Sequence, residues 1–81
     1  MTVTVHLFAA ARDLVGNPTV SIDLPAGATV ATLRAVLAEQ YPALTFLLAR
    51  SAVAVNQEYA DDFHVVAPTD ELAVIPPVSG G

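Results

Sequence analysis

The sequence closes on Pro76-Pro77-Val78-Ser79-Gly80-Gly81, and the group there that could do chemistry is on the main chain. Glycine has no Cβ, so a Gly80-Gly81 end is as thin as a polypeptide can be and takes backbone angles closed to other residues. Such an end can enter a narrow tunnel. It would carry in the terminal carboxylate of Gly81, ionised at neutral pH and able to attack the α-phosphorus of ATP. The product is an acyl-adenylate, and capture of that mixed anhydride by a persulfide, followed by reduction, leaves a thiocarboxylate with one mobile sulfur atom. Pro76 and Pro77 lack N–H groups and have a fixed φ, so they stop a sheet ladder and set the exit on an extended path. From Pro77 to Gly81 the reach is at most roughly 16 Å. Two parts are therefore expected: a folded domain over residues 1–75 and an extended tail over 76–81. Disorder alone does not account for a stiff exit followed by a slender end.

No other constellation competes with this one. His6 and His64 lie far apart with no cysteine and no metal-ligand spacing, so no metal site is expected, and a strand histidine and a loop histidine suffice to explain them. Asp61-Asp62 and Asp70-Glu71 could be acid/base pairs, but adjacent loop carboxylates usually make caps and turns. No Ser/His/Asp set, phosphate loop or dinucleotide fingerprint is present. The chain is expected to supply a reagent and to bind no cofactor, with ATP consumed by an activating enzyme and the catalytic groups supplied by a partner.

Composition narrows the partners. The 81 residues are 54% hydrophobic and only 14% charged, more apolar side chain than one small core hides, so part of the surface should be sticky. Net charge is −5, with three arginines (Arg12, Arg34, Arg50) and no lysine, which repels a phosphate backbone and favours a partner with a basic surface. Nucleic acid is not expected. The longest stretch free of charge, residues 1–11, is far short of the roughly 18 apolar residues that span a bilayer. With no cysteine and no basic leader, a soluble cytoplasmic protein is expected.

The elements that must position the tail follow from periodicity. Residues 2–8 alternate, with Val3, Val5 and Leu7 on one face and Phe8 on the other, as a half-buried strand does. Residues 9–15 predict a short helical turn stopped by Gly16-Asn17-Pro18, and Val20, Ile22 and Leu24 a second strand. Thr29 is a good N-cap for a main helix carrying Val30, Leu33, Val36, Leu37 and Tyr41 up to Pro42. Residues 43–49 predict a helical turn or connector, 52–55 a short strand and Asn56-Gln57-Glu58 a turn. Residues 61–70 read as a surface loop and 71–75 as a last strand with Leu72 and Val74 inward. This order suggests an α+β architecture, a mixed sheet packed on one main helix, of which the β-grasp is the natural member. By analogy with that fold, the first and last strands lie parallel at its centre, which puts Phe8 and Ile75 at one edge on the open face, with Tyr59 able to join them.

The segments LFAAARDLVG (7–16), AVNQEY (54–59) and DELAVIPPVSGG (70–81) resemble the MoaD/ThiS-like family of ubiquitin-like sulfur carriers, which includes the small subunits of molybdopterin synthase. The resemblance covers essentially the whole chain and is most specific at its end. It implies that an adenylating enzyme related to ubiquitin-activating enzymes charges Gly81, that a persulfide donates sulfur, and that the tail inserts into the large catalytic subunit of molybdopterin synthase. There two transfers to precursor Z, a cyclic pyranopterin monophosphate, would build the molybdopterin dithiolene, in a heterotetramer of two large and two small subunits. The family's apolar docking surface falls on Phe8, Tyr59 and Ile75, with Arg12 a candidate salt-bridge donor, and Pro76, Pro77, Val78, Ser79 and Gly80 belong to the inserted segment. The turn Ala67-Pro68-Thr69-Asp70 departs from many relatives, which have a glycine there. Identical tail chemistry would serve thiamin thiazole or tRNA thiolation, and a glycine end also suits a protein modifier that forms isopeptide bonds.

Overall fold

Val3, Val5 and Leu7 are buried while Thr2 and Thr4 on the alternate positions are exposed, as the period of two requires. In the computed structural model, which describes residues 1–77, they lie on β1 (Thr2–Leu7). The chain continues through α1 (Ala9–Val15), β2 (Thr19–Asp23), α2 (Val30–Gln40), a 3₁₀ turn (Pro42–Leu44) and α3 (Thr45–Leu48). It ends in β3 (Ala52–Val55), β4 (Glu58–Ala60) and β5 (Leu72–Ile75). The five strands form one mixed sheet in the order β2-β1-β5-β3-β4, a β-grasp arrangement. β1 and β5 pair in parallel, Val5 opposite Leu72 and Leu7 opposite Val74, while the other neighbours are antiparallel.

One face of this sheet is covered. α2 lays Val30, Leu33 and Leu37 against it, spaced so that one helical stripe meets the inward row of the strands. Val20, Ile22, Leu24, Leu44, Leu72 and Val74 complete the same core. Thr29 caps α2 as the sequence predicts, its Oγ1 accepting from the Thr32 N–H at 3.4 Å. Much of the helix start is satisfied differently: the Val30 and Ala31 N–H groups donate to the His64 and Asp62 carbonyls at 3.0 and 3.1 Å, a loop standing in for the missing turn. At the other end of α1, Gly16 takes a left-handed φ of 85° and returns its N–H to the Arg12 carbonyl, a position that glycine fills without Cβ strain.

Two expectations need correction. The segment after the Asn56 turn is a strand, β4, pairing Tyr59 with Ala54 and Glu58 with Val55; three residues are too few for alternation to declare itself. Residues 61–70 are also more than a surface loop, because Val66 is buried in the core and Val65 bridges to Thr29. Val78, Ser79, Gly80 and Gly81, on which the tail expectation rests, lie outside the described residues. Of the exit itself, Pro76 is buried and Pro77 exposed.

A polar clamp sets the start of β5. Asn56 Oδ1 accepts from the Glu71 N–H at 2.9 Å, and its own N–H donates to the Glu71 carbonyl at 2.8 Å. Asp70 accepts from the Ala67 N–H at 2.7 Å and from Asn56 Nδ2 at 2.9 Å. These bonds, the one from the Ala67 backbone foremost, hold the Asp70 carboxyl below its ordinary range, since they favour the charged form. A depressed folded-state pKa means that the unfolded chain binds more protons, so stability rises with pH. The contribution is complete above the ordinary aspartate value of about 3.9 and is lost as pH falls through the lower folded value. Urea-unfolding midpoints measured from neutral to acid pH should therefore show a weaker acid dependence for Asp70→Asn than for the parent chain, together with lower stability at neutral pH.

Candidate functional site

The uncovered face of the sheet carries the residues that alternation turns away from α2. Cross-strand register aligns them: Tyr59 stands opposite Ala54, Ala54 opposite Ala73, and Ala73 opposite His6. Strand interiors favour β-branched and aromatic side chains, and two alanines side by side leave the middle of the row low. The result is a concavity of about 370 Å³ with Ala54 and Ala73 in its lining. Phe8, Tyr59 and Ile75 also line it, so the three residues predicted to form a patch do converge.

Each wall is held by local backbone. Phe8 keeps an extended backbone (φ −120°, ψ 156°) just past β1, and Ala9 then takes a left-handed φ of 49° that turns the chain into α1. That sequence of angles keeps Phe8 on the open face, half exposed at 48%. Tyr59, 76% exposed, is carried by the hairpin of β3 and β4. Its two turn residues, Asn56 and Gln57, both have positive φ (52° and 71°), the two-residue turn whose twist matches that of the strands it joins. Ile75 ends β5 opposite Ala52, directly before the two prolines. The groove therefore lies where the chain leaves the domain.

Arg12 does not join the groove. It is exposed on α1, with Nε 4.0 Å from Asp13 Oδ1. Arg34 has a structural task, Nε donating to Asp62 Oδ1 at 2.9 Å and Nη1 to the Leu48 carbonyl at 2.6 Å. The loop carboxylates act as turns and ties: Asp61 accepts from the Phe63 N–H, and Asp62 holds Arg34. Among the described residues, no cluster of His, Cys, Asp or Glu has the geometry to hold a metal ion, and no helix is long and apolar enough to cross a membrane.

Sequence reasoning missed five members of the groove, His6, Ala54, Gln57, Glu71 and Ala73, as parts of a site. His6 and Glu71 read as an ordinary strand histidine and a loop acid, and they meet only through the parallel pairing, with Nε2 3.7 Å from Oε1. The alanines did leave a signal, as small residues in the middle of strands. The expected surplus of apolar surface is present beyond the groove as well, at Leu14 and Phe46 on the helical side and at Phe63.

Comparison with known proteins gives a consistent set of likenesses. The ThiS family model matches residues 5–81. The molybdopterin synthase sulfur carrier subunit of Arabidopsis thaliana is 39% identical over 98% of this chain and 82% of its own length. That of Caenorhabditis briggsae is 40% identical over 100% and 99%. Among solved structures, SAMP1 from Haloferax volcanii, a small archaeal modifier protein, superposes with a TM-score of 0.88 at 32% identity over the whole of both chains. A complex of subunits 1 and 2 of the molybdopterin-converting factor from Helicobacter pylori contains a chain matching with a TM-score of 0.71 at 26% identity, again over the whole of both.

The opposite faces of neighbouring residues make a direct test of the groove. Leu7→Ala should cost about 2–5 kcal/mol in urea unfolding, as an emptied core position does. Phe8→Ser, one residue on, should cost less than about 1 kcal/mol while lowering the binding of a hydrophobic dye to the native protein.

Proposed function

The chain belongs to the ThiS family, and from that membership we infer that it is a sulfur carrier of molybdenum cofactor biosynthesis, the small subunit of a molybdopterin synthase. The observation that carries the reading is the position of the apolar groove. It ends at Ile75, where the chain leaves β5, so a partner that covers Phe8, Tyr59 and Ile75 receives whatever follows Pro77 at one fixed place. The alignment of relatives over the full chain and a family match running to residue 81 support Gly81 as the residue delivered. The large subunit is the docking partner in this reading, supported by the two-subunit converting-factor complex. We propose Arg12 as a salt bridge beside that interface, and an assembly of two large and two small subunits.

The chemistry needs no side chain of this protein. On an adenylating enzyme the Gly81 carboxylate attacks the α-phosphorus of ATP, forming the acyl-adenylate and releasing pyrophosphate. A persulfide sulfur then attacks the acyl carbon and expels AMP, giving an acyl disulfide. A thiol cleaves its S–S bond, is itself oxidised to a disulfide, and leaves Gly81 as the thiocarboxylate. In the large subunit that sulfur bonds to a carbon of precursor Z as an oxygen substituent leaves that carbon. Water then cleaves the acyl–sulfur bond of the resulting thioester, restoring the Gly81 carboxylate and leaving the sulfur on the pterin. Two such rounds supply the two sulfurs of the dithiolene. The part left to this chain is presentation: a rigid docking face and an end with no Cβ to obstruct a tunnel.

The likeness to an archaeal modifier protein favours a second use of the same activated end, transfer to lysine amines of other proteins. Both uses begin with the adenylate and differ in the nucleophile that captures it.

Incubation of the full chain with ATP, its adenylating enzyme and a persulfide source tests the proposal by intact mass. The expected result is exchange of one oxygen for one sulfur, located at Gly81 by fragmentation and abolished by deletion of Gly81. An unchanged mass sinks the reading. Gly81 recovered mainly as isopeptides on lysines in cell extract selects the modifier instead.

A further inference from the structure

We propose that the open-face groove receives one arginine side chain of the docking partner, its stem over Ala54 and Ala73 and its guanidinium bound by Glu71 and Gln57. This inference rests on the reading that the large synthase subunit docks on this face, and it names what that subunit must present.

The groove is polarised along the strands. Ile75 and Phe8 make its apolar end, next to the chain exit, and Glu71 and Gln57 stand at the other, because β3 runs antiparallel to β5 with Val55 opposite Leu72. From Ile75 to Glu71 the strand covers roughly 13 Å, with Tyr59 and His6 on the two sides of the alanine floor. A slot that is apolar along its length and acidic at one end fits a long aliphatic side chain tipped with positive charge.

Glu71 is held ready and left without a strong cation. Its backbone is bonded to Asn56 in both directions, so the point from which its side chain springs is fixed before any partner arrives. Among the described residues, its one ion-pair contact is the 3.7 Å approach of His6 Nε2. Arg34 is committed to Asp62 and Leu48, and Arg12 sits beside Asp13. Gln57 adds an independent sign. It occupies a left-handed position (φ 71°) where glycine would be unstrained, yet the residue there is not glycine, and it lines the groove. An amide oxygen there can accept from a guanidinium N–H that the carboxylate does not use.

Arginine fits better than lysine for reasons of shape. Its planar guanidinium pairs bidentately with a carboxylate and lies flat against aromatic rings such as Tyr59 and His6, and it gives up water more readily than an ammonium. The net charge of −5 draws such a partner in from a distance.

The test is calorimetric affinity of the full chain for the large subunit at low and at high salt. Glu71→Gln, which keeps the backbone bonds to Asn56, should weaken binding roughly 10-fold at low salt and less at high salt. Ala73→Leu, which fills the slot, should weaken it at both. Glu39→Gln, exposed on α2, should change nothing. Among large-subunit variants with single arginines replaced by methionine, one should reproduce the loss and be non-additive with Glu71→Gln. Undiminished binding by Glu71→Gln, or coupling of Glu71 to a lysine, overturns the inference and leaves the docking reading intact. Failure of the parent chain to bind the large subunit overturns both.

Discussion

The parallel pairing of β1 with β5 is the constraint on which the rest of the molecule depends. It joins residues more than sixty positions apart, Val5 with Leu72 and Leu7 with Val74, and places two strands that end at the same side of the domain next to each other. Phe8 and Ile75 become neighbours for that reason alone, and the chain exit opens beside both. An antiparallel pairing of the same strands would send Phe8 and Ile75 to opposite ends and leave the exit without an apolar groove beside it. Such non-local contacts cost chain entropy before they return any stabilisation. Here the core that α2 closes over Leu7, Leu72 and Val74 supplies the compensating apolar burial.

The two faces of the sheet divide the work. The covered face holds the fold, with large aliphatic side chains from β1, β2, β3 and β5 packed beneath α2. The open face is built by omission, because Ala54 and Ala73 decline to fill the space that valine would fill in their place. The space left between Tyr59 and His6 makes the open face concave instead of flat. The turn at Asn56 and Gln57 serves both faces: its backbone closes the hairpin that carries Tyr59, the Asn56 side chain holds Glu71 and Gln57 lines the groove.

What local pattern can encode was legible in advance. The inward rows of β1, β2 and β5, the helix from its Thr29 cap to Pro42, the turn at Asn56 and the outward parity of Phe8 and Ile75 all follow from periods of 2 and 3.6 and from residues with restricted backbones, whereas bringing Phe8, Tyr59 and Ile75 together took the analogy with a β-grasp fold. The three-residue β4 and the buried Val66 were not legible. Each exists because a neighbour is there to pair with or to cover it, and no window of a few residues contains that neighbour.

The amino-acid sequence by itself determined which way each side chain faces along its own strand or helix, and where glycines and prolines free or restrict the backbone. These are properties of short segments, fixed by sterics and spacing. Tertiary structure alone decided that His6, Ala54, Glu71 and Ala73 share one groove, and that this groove lies against the exit of the chain. Those four positions come from three strands, β1, β3 and β5, and from the clamp that precedes β5, and nothing in a local period states which strand lies beside which. That choice is made by the burial of the whole core at once.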